Sequence, residues 1–151
     1  MPFEDRASAR AKALELLTRR EHSRRELHIK LRTRGFSAKD AETAVECLAD
    51  QGLQSDDRFL ESFVEGRATR GQGPLKIAAE LRLRGLTGER VTTALNFHAE
   101  RWRDLACSVR VRRFGILPPA DNRDRAAQMR FLVQRGFTSE QIQAAFVIFS
   151  D

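Results

Sequence analysis

The sequence lacks the residue patterns that mark metal centres and covalent frameworks. Its two cysteines, Cys47 and Cys107, lie far apart, and neither belongs to a CxxC motif, so neither a disulfide framework nor a zinc site is indicated. The three histidines, His22, His28 and His98, have no metal-ligand spacing with one another or with the cysteines. We therefore expect no metal, no cofactor, and two free thiols that are buried or partly buried.

Long hydrophobic runs are missing too. No apolar stretch approaches the roughly 20 residues that a membrane span requires. Residues 1–5 contain neither the basic region nor the apolar region of a signal peptide. We therefore expect a cytoplasmic protein that makes no contact with a membrane.

Catalytic patterns are also absent from the sequence. The turn at residues 71–74, Gly-Gln-Gly-Pro, lacks the lysine and the serine or threonine of a phosphate-binding loop. The acidic residues fall mostly on polar helix faces, and Asp56 with Asp57 at a helix start is explained by capping and by the helix dipole. The sequence predicts a binding protein and not an enzyme, with no small-molecule substrate.

What the sequence does contain is a seven-residue pattern that occurs three times. The pattern is Leu-x-x-Arg-Gly-(Phe or Leu)-(Ser or Thr), at residues 31–37, 81–87 and 132–138, and its glycines are Gly35, Gly85 and Gly136. An arginine in the last turn suits a helix C-terminus, a glycine can adopt the left-handed conformation after it, and a serine or threonine can cap the next helix. Each copy therefore predicts the end of one helix and the start of another.

The similarity between the copies continues beyond each glycine. Apolar residues recur six, nine and ten positions later, which follows one face of a helix; they are Ala41, Ala44 and Val45, then Val91, Ala94 and Leu95, then Ile142, Ala145 and Phe146. The thirteenth positions hold Leu48, His98 and Phe149, so the middle copy departs from the pattern there. The chain therefore contains an internal repeat of about 50 residues.

This repeat predicts an all-α protein of nine helices, arranged as three tandem three-helix repeats that resemble helix-turn-helix units. The repeats are predicted at residues 1–52, 53–100 and 101–151. A unit of this size buries little surface, so neighbouring units are expected to support one another. The only strand-like alternation, at residues 109–111, has flanks that favour a helix.

Helix boundaries follow from capping patterns. A tail at residues 1–6 is expected to precede a first helix from Ala7 to about Arg20, and Ser23 with Glu26 forms a capping box for the second helix. The last helix of the middle repeat is predicted to run from near Gly88 toward residue 100. The second helix of the last repeat is predicted to be capped by residue 121 or 122.

Charge is distributed unevenly. The chain has 27 basic and 21 acidic residues, and 23 of the basic residues are arginines, which suit phosphate or carboxylate partners. The predicted third helices, at residues 38–51, 88–100 and 139–150, carry a net charge of −5, whereas the rest of the chain carries +11. Because a groove-reading helix needs cations, these helices are not expected to read a DNA sequence.

The basic residues on the other helices are the candidate contacts. They could form one discontinuous basic band that contacts phosphates without reading sequence; they are Arg19, Arg20, Arg24, Arg25, Lys30, Arg32, Arg67, Arg70, Lys76, Arg82, Arg110, Arg112 and Arg113. The alternative is that such cations merely lie on solvated helix faces. Helix-end electrostatics suffice for Arg34, Arg84 and Arg135. The aromatic residues Phe36, Phe137 and Trp102 are expected to be core residues.

Three stretches of the sequence resemble signatures of the bacterial RecX family. They are Arg20-Glu21-His22-Ser23-Arg24-Arg25-Glu26-Leu27 with Lys30, Leu31 and Gly35; Asp57-Arg58-Phe59 through Phe63, Val64 and Arg67 to Gly71-Gln72-Gly73-Pro74 and Ile77; and Arg130-Phe131-Leu132 with Arg135-Gly136-Phe137. They occur in the family's order over about residues 9–149, which is more specific than any one motif. Arg112-Arg113 is a loose counterpart of the family's lysine-rich segment, and His98 interrupts the apolar face.

The resemblance implies a regulator of the RecA recombinase, with a part in homologous recombination, DNA repair and the SOS response. It implies an elongated, curved molecule that lies in the helical groove of the RecA–DNA filament and restrains ATPase, strand-exchange and coprotease activity. The implied partners are the RecA filament and single- and double-stranded DNA, bound without sequence specificity. Two alternatives stay open: a nonspecific DNA-binding protein that competes for DNA, and a helical-repeat adaptor for another acidic partner.

Overall fold

The structure, a computed structural model, describes residues 2–96 and 99–147, with side chains from residue 5 onward. These residues form nine helices and no strand, as predicted. The helices are α1 (Pro2–Arg19), α2 (Arg24–Thr33), α3 (Ala38–Asp50), α4 (Asp56–Thr69), α5 (Pro74–Leu83), α6 (Glu89–Asn96), α7 (Ala99–Phe114), α8 (Asn122–Gln134) and α9 (Ser139–Phe146). The predicted features at His98 and Phe149 lie outside the described residues.

The three repeated turns have the same backbone geometry. Gly35, Gly85 and Gly136 have φ angles of 96°, 81° and 95°, in the left-handed region that favours glycine. In each turn the amide after the glycine donates to the carbonyl of the leucine five residues earlier; the bonds join Phe36 to Leu31 (3.2 Å), Leu86 to Leu81 (3.0 Å) and Phe137 to Leu132 (3.2 Å). These are Schellman ends, and they confirm that one helix-ending motif has been used three times.

The start of the following helix is conserved in two of the three copies. The Ser37 hydroxyl accepts a hydrogen bond from the Asp40 amide (3.1 Å), and Thr138 forms a reciprocal capping box with Gln141. In the middle copy, Gly88 intervenes with a φ of 82°, and α6 begins only at residue 89. The prediction that Thr87 caps this helix was therefore wrong, because the chain makes a second left-handed residue before it turns helical.

Two helix boundaries also differ from prediction. Helix α1 begins at Pro2, so the expected tail at residues 1–6 was wrong; proline suits a first helical turn because it lacks the amide that would have no partner there. Helix α6 ends at residue 96, and residues 99 and 100 already belong to α7.

The cap of α8 is Asp121, whose carboxylate accepts from the Asp124 amide at 2.7 Å.

The chain divides into two compact units, residues 1–62 and 63–151, and the division falls within α4. In the first unit, α1, α2 and α3 enclose an apolar core, with Leu27, Leu31 and Leu48 fully buried and Phe36 packed against the edge. Alanines at positions 9 and 13 of α1 and 41 and 44 of α3 line the same core. Small side chains at these positions allow α1 and α3 to pack closely. The repeat boundaries at residues 52 and 100 stay predictions.

One core cluster of the second unit lies between α7, α8 and α9. It contains Ala106, Leu132, Phe137, Ile142, Ala145 and Phe146. Trp102 is also buried, and its indole N–H donates to the carbonyl of Leu95 at 2.7 Å. The expectation that Trp102 and Phe137 are core residues is confirmed. Cys107 in this unit and Cys47 in the first are free and partly buried.

The α8–α9 turn packs directly on the start of α5. The Gly73 amide donates to the carbonyl of Arg135 (2.7 Å), and the Leu75 amide donates to the carbonyl of Gly136 (2.9 Å). A Cβ atom added to Gly136 would lie 2.6 Å from the Lys76 backbone nitrogen, whereas one added to Gly35 would meet nothing within 4 Å. Gly136 is therefore required both for its φ angle and for this close packing.

Candidate nucleic-acid interface

The first candidate cations lie around the α1–α2 turn, in a polar network. Ser23 and Glu26 form the predicted capping box, and the Arg20 guanidinium grips the Glu26 carboxylate through two bonds, of 3.1 and 2.9 Å. Burial of the carboxyl acts to raise the pKa of Glu26, but the hydrogen bond and charge of Arg20 outweigh it and hold that pKa below 4.5. Arg20 is therefore engaged within the fold.

His22 lies at the centre of this network and is only 1% exposed. Its Nδ1 lies 3.0 Å from the carbonyl oxygen of Arg20, and its Nε2 lies 3.2 Å from the Lys30 ammonium. Burial lowers the pKa of His22 below 6.5, although the bond to the Arg20 carbonyl acts to raise it. The neutral tautomer with hydrogen on Nδ1 fits both contacts, so Lys30 donates to an imidazole, and the structure brings Arg20 and Lys30 together around it.

The start of α2 is also tied to the start of α4. The Asp56 carboxylate accepts hydrogen bonds from the backbone amide of Arg24 (2.9 Å) and from the side-chain amide of Gln54 (3.0 Å). The Gln54 side-chain amide also donates to the backbone carbonyl of His22 (3.2 Å). Ser55 caps α4 by accepting from the Arg58 amide. The signature that resembles RecX here is thus largely structural: its Glu, His and Ser side chains hold the turn, and Arg24 and Arg25 remain exposed.

The thirteen candidate cations separate by their surroundings. Five already have a partner within the fold: Arg19 with Glu15 (3.2 Å), Arg20 with Glu26, Lys30 with His22, Arg67 with Glu80 (3.1 Å) and Arg32 with the Phe36 carbonyl (3.1 Å). Seven form no ion pair with any residue that the structure describes: Arg24, Arg25, Arg70, Lys76, Arg82, Arg112 and Arg113. All of these except the half-buried Lys76 are exposed. They are the cations available to an external anion.

The remaining candidate, Arg110, corrects the sequence prediction. Its side chain is fully buried, so it cannot belong to an accessible contact surface. The guanidinium donates to the Gln128 amide oxygen (3.2 Å) and lies 5.4 Å from the ring centroid of Phe146. Burial lowers the pKa of Arg110. A sequence signal existed: Trp102, Ala106 and Arg110 are spaced by four and share the buried face of α7.

A cluster of two arginines and two phenylalanines was not predicted. We call Arg113, Phe114, Phe131 and Arg135 the Phe131 cluster. The Arg113 guanidinium carbon lies 5.4 Å from the Phe114 ring centroid and 5.7 Å from that of Phe131, and Arg135 lies 5.2 Å from Phe131. The two rings meet edge to face, with centroids 5.4 Å apart. Lys76 lies against Gly136, the residue that follows Arg135 in the α8–α9 turn.

Neither metal sites nor membrane spans were found in the part of the chain that the structure describes. No group of three or more His, Cys, Asp or Glu side chains there could hold a metal ion. No helix there combines the length and the hydropathy of a membrane span.

The sequence matches three consecutive family models. They are described as the first, second and third three-helix domains of RecX, and they match residues 9–48, 55–95 and 100–146. The chain is 47% identical to the regulatory protein RecX of Chromohalobacter salexigens, over 92% of this chain and 91% of that protein. It is 46% identical to the protein of the same name from Halorhodospira halophila, over 91% and 86% of the two chains.

Solved structures support the fold. A crystal structure of RecX from Lactobacillus salivarius superposes with a TM-score of 0.80, covers 94% of each chain and is 20% identical in sequence. A second crystal structure, of a regulatory protein RecX, has a TM-score of 0.76 and 23% identity, and it covers 92% of this chain and 70% of the other. At these identities the likeness concerns the fold alone.

Proposed function

The chain belongs to the RecX family, and from that premise we propose that it binds the filament that RecA forms on DNA. Bound there, it inhibits the ATPase, strand-exchange and coprotease activities of RecA. RecA filaments assemble on chromosomal DNA, so the protein acts in the bacterial cytoplasm. The proposed partners are the filament and the single- or double-stranded DNA within it, contacted without regard to sequence.

One observation carries the DNA part of this proposal. Seven basic side chains have no acidic partner among the described residues, and six of the seven are exposed. An arginine that forms an ion pair with a glutamate must break that pair before it binds a DNA phosphate. An arginine without an acidic partner can bind the phosphate directly. Contacts of this kind position a protein on the backbone and carry no sequence information.

The charge of two of the three third helices favours the same reading, while α6 is neutral, with one glutamate and one arginine. Helix α3 carries acids at positions 40, 42, 46 and 50 against one lysine, and α9 carries one acid and no cation. Helices of this charge cannot enter a groove of DNA without repulsion. The unpaired cations lie instead on α2, α5 and α7 and on the turn after α4. In our proposal, these cations meet DNA phosphates while other parts of the protein bridge RecA protomers, which blocks subunit addition or closure of the ATP site.

A pull-down experiment tests the proposal. Preformed RecA–DNA filaments and an equal mass of naked DNA are immobilised, and the protein is applied at moderate salt. We expect strong retention on filaments and weak retention on naked DNA, because only filaments offer both surfaces. Equal retention on the two would favour the alternative, a nonspecific DNA-binding protein that acts by competition. Retention on neither would favour an adaptor for some other acidic partner and would overturn the proposal.

A further inference from the structure

The two arginines of the Phe131 cluster lie against aromatic rings and have no acidic partner in the described part of the chain. In the described part of the chain no carboxylate lies within ion-pair distance of Arg113 or Arg135. Arg113 is exposed, and Phe114, Phe131 and Arg135 are half-buried. The cluster therefore combines an accessible apolar surface with two positive charges that the fold leaves uncompensated.

Phe131 packs against the core cluster of α7, α8 and α9, but the other two repeats have no aromatic residue at the equivalent position. The residue five positions before the repeat glycine is Lys30 in the first copy, Glu80 in the second and Phe131 in the third. Helices α2 and α5 form with a polar side chain at that position. The phenylalanine is thus a feature of the third repeat alone, and Phe114 beside it lies at the end of α7, outside the buried core cluster.

The surrounding segment is strongly basic. Residues 110–135 contain seven arginines and two acids, and Arg110 is the one buried arginine of the seven. Both acids accept hydrogen bonds from neighbouring residues of the same segment. Asp121 caps α8, and Asp124 accepts from the Ala120 amide and from the Gln128 side chain. Lys76 of α5 adds a further cation next to the α8–α9 turn. A partner that approaches here meets positive charge and the faces or edges of two rings.

We propose that the Phe131 cluster binds single-stranded DNA by stacking a base against its aromatic and guanidinium surfaces, while Arg113 and Arg135 hold the adjoining phosphates. Single-stranded nucleic acid is the polyanion whose flat apolar faces are exposed, and a basic surface with aromatic side chains is the usual means of binding it. In a duplex these faces are already stacked, so the cluster discriminates in favour of single strands. This inference rests on the proposed function and names one contact within it.

Fluorescence anisotropy with a labelled oligothymidine of about 20 nucleotides tests the inference. Phe131→Leu removes the ring and keeps an apolar side chain, and we expect it to weaken binding about tenfold. The dependence of affinity on salt should keep its slope, because no charge is removed. Phe131→Trp restores a ring and should restore binding. Affinity for a duplex of the same length should change less than about twofold, because its bases are not available to stack.

An abasic strand of the same length provides a control that needs no variant. It keeps every phosphate and lacks the stacking faces, so the unmodified protein should bind it about tenfold more weakly than oligothymidine. Phe131→Leu should bind the two strands alike. Thermal unfolding of each variant is measured alongside; should Phe131→Leu fail to fold, Phe114→Leu, outside the core cluster, takes its place.

Equal binding of oligothymidine by the unmodified protein and by folded Phe131→Leu would overturn the inference. So would a variant that binds oligothymidine normally but loses binding to RecA free of DNA, since the cluster would then contact protein. The pull-down of the unmodified protein on immobilised RecA filaments separates these outcomes from failure of the proposed function. If filaments retain the unmodified protein while Phe131→Leu binds oligothymidine with unchanged affinity, only the inference fails. If filaments do not retain it, the proposed function fails.

Discussion

The guanidinium of Arg110 lies 5.4 Å from the ring centroid of Phe146, inside the core of the second unit. Its neighbour Arg112, two residues along the same helix, is exposed and has no ion pair in the described chain. The two residues are identical in type and charge, and they are expected to serve different purposes. We expect Arg110 to contribute to the packing of α7 against α8 and α9, whereas Arg112 is available to a partner.

Substitution of each by alanine separates these roles. Arg110→Ala should lower the free energy of unfolding by about 3 kcal/mol, because it leaves a cavity in the core and removes the partner of Gln128. Arg112→Ala should change it by less than about 0.5 kcal/mol, as surface substitutions do. Urea denaturation followed by circular dichroism measures both. Similar values for the two variants would show that Arg110 is not held in the core.

The repeat glycines offer a second matched pair. Gly35→Ala forces an L-residue into the left-handed region, at a cost of about 1–2 kcal/mol. Gly136→Ala incurs the same cost and also drives a methyl group against the Lys76 backbone, so we expect a loss of about 3 kcal/mol or more. Denaturation curves of the two variants decide the order. A Gly35→Ala protein less stable than Gly136→Ala would contradict the packing of the α8–α9 turn on α5.

The unpaired pair Arg112 and Arg113 should contribute to DNA binding through charge. Replacement of both by alanine should make the plot of log affinity against log salt shallower by about 2, one unit for each lost phosphate contact. Filament inhibition should weaken, and thermal unfolding should change little. Arg6→Ala with Arg10→Ala removes the same charge from α1 and serves as the control. An equal loss in both double variants would indicate a general effect of net charge.

The buried His22 predicts a pH dependence of stability. Burial lowers its folded pKa below 6.5, so the unfolded chain takes up a proton before the folded chain does. Stability is therefore full above pH 6.5 and falls as pH decreases from 6.5 toward the folded pKa. Glu26 affects stability at lower pH than His22 does. Its folded pKa lies below 4.5, so its contribution to stability is present above pH 4.5 and is lost as the pH falls further.

His22→Gln isolates the histidine contribution. Denaturant midpoints are measured between pH 5 and pH 7.5. In the unmodified protein the midpoint should decrease as the pH is lowered, and this decrease should be smaller in the variant. The residual slope belongs to the other groups that titrate in this range. Parallel curves for the two proteins would show that His22 takes up its proton equally in the folded and the unfolded chain.

The sequence predicted what depends on local structure. A Schellman turn is decided within six residues, so the repeated Arg-Gly-Phe and Arg-Gly-Leu patterns were sufficient to place three helix ends. The same holds for the capping boxes at Ser23 and Thr138. The exception at Thr87 has a local cause as well, since the second glycine at residue 88 delays the helix.

What the sequence did not predict depends on contacts between remote segments. The spacing of Trp102, Ala106 and Arg110 places Arg110 on the buried face of α7, but no pattern within α7 specifies its partners, Gln128 on α8 and Phe146 on α9. The Phe131 cluster likewise joins the end of α7 to α8. Charge along the chain identified basic residues correctly but could not tell Arg19 and Arg20, which pair with glutamates, from Arg24 and Arg25, which do not.

The central claim is that the protein acts on the RecA filament and not by removing its DNA. It is tested most directly by measuring inhibition of RecA ATPase with RecA limiting and DNA in saturating excess, at increasing concentrations of free DNA. We expect inhibition to depend on the ratio of this protein to RecA and to persist as free DNA increases. Inhibition that disappears in proportion to added DNA would contradict the claim and identify a competitor for DNA.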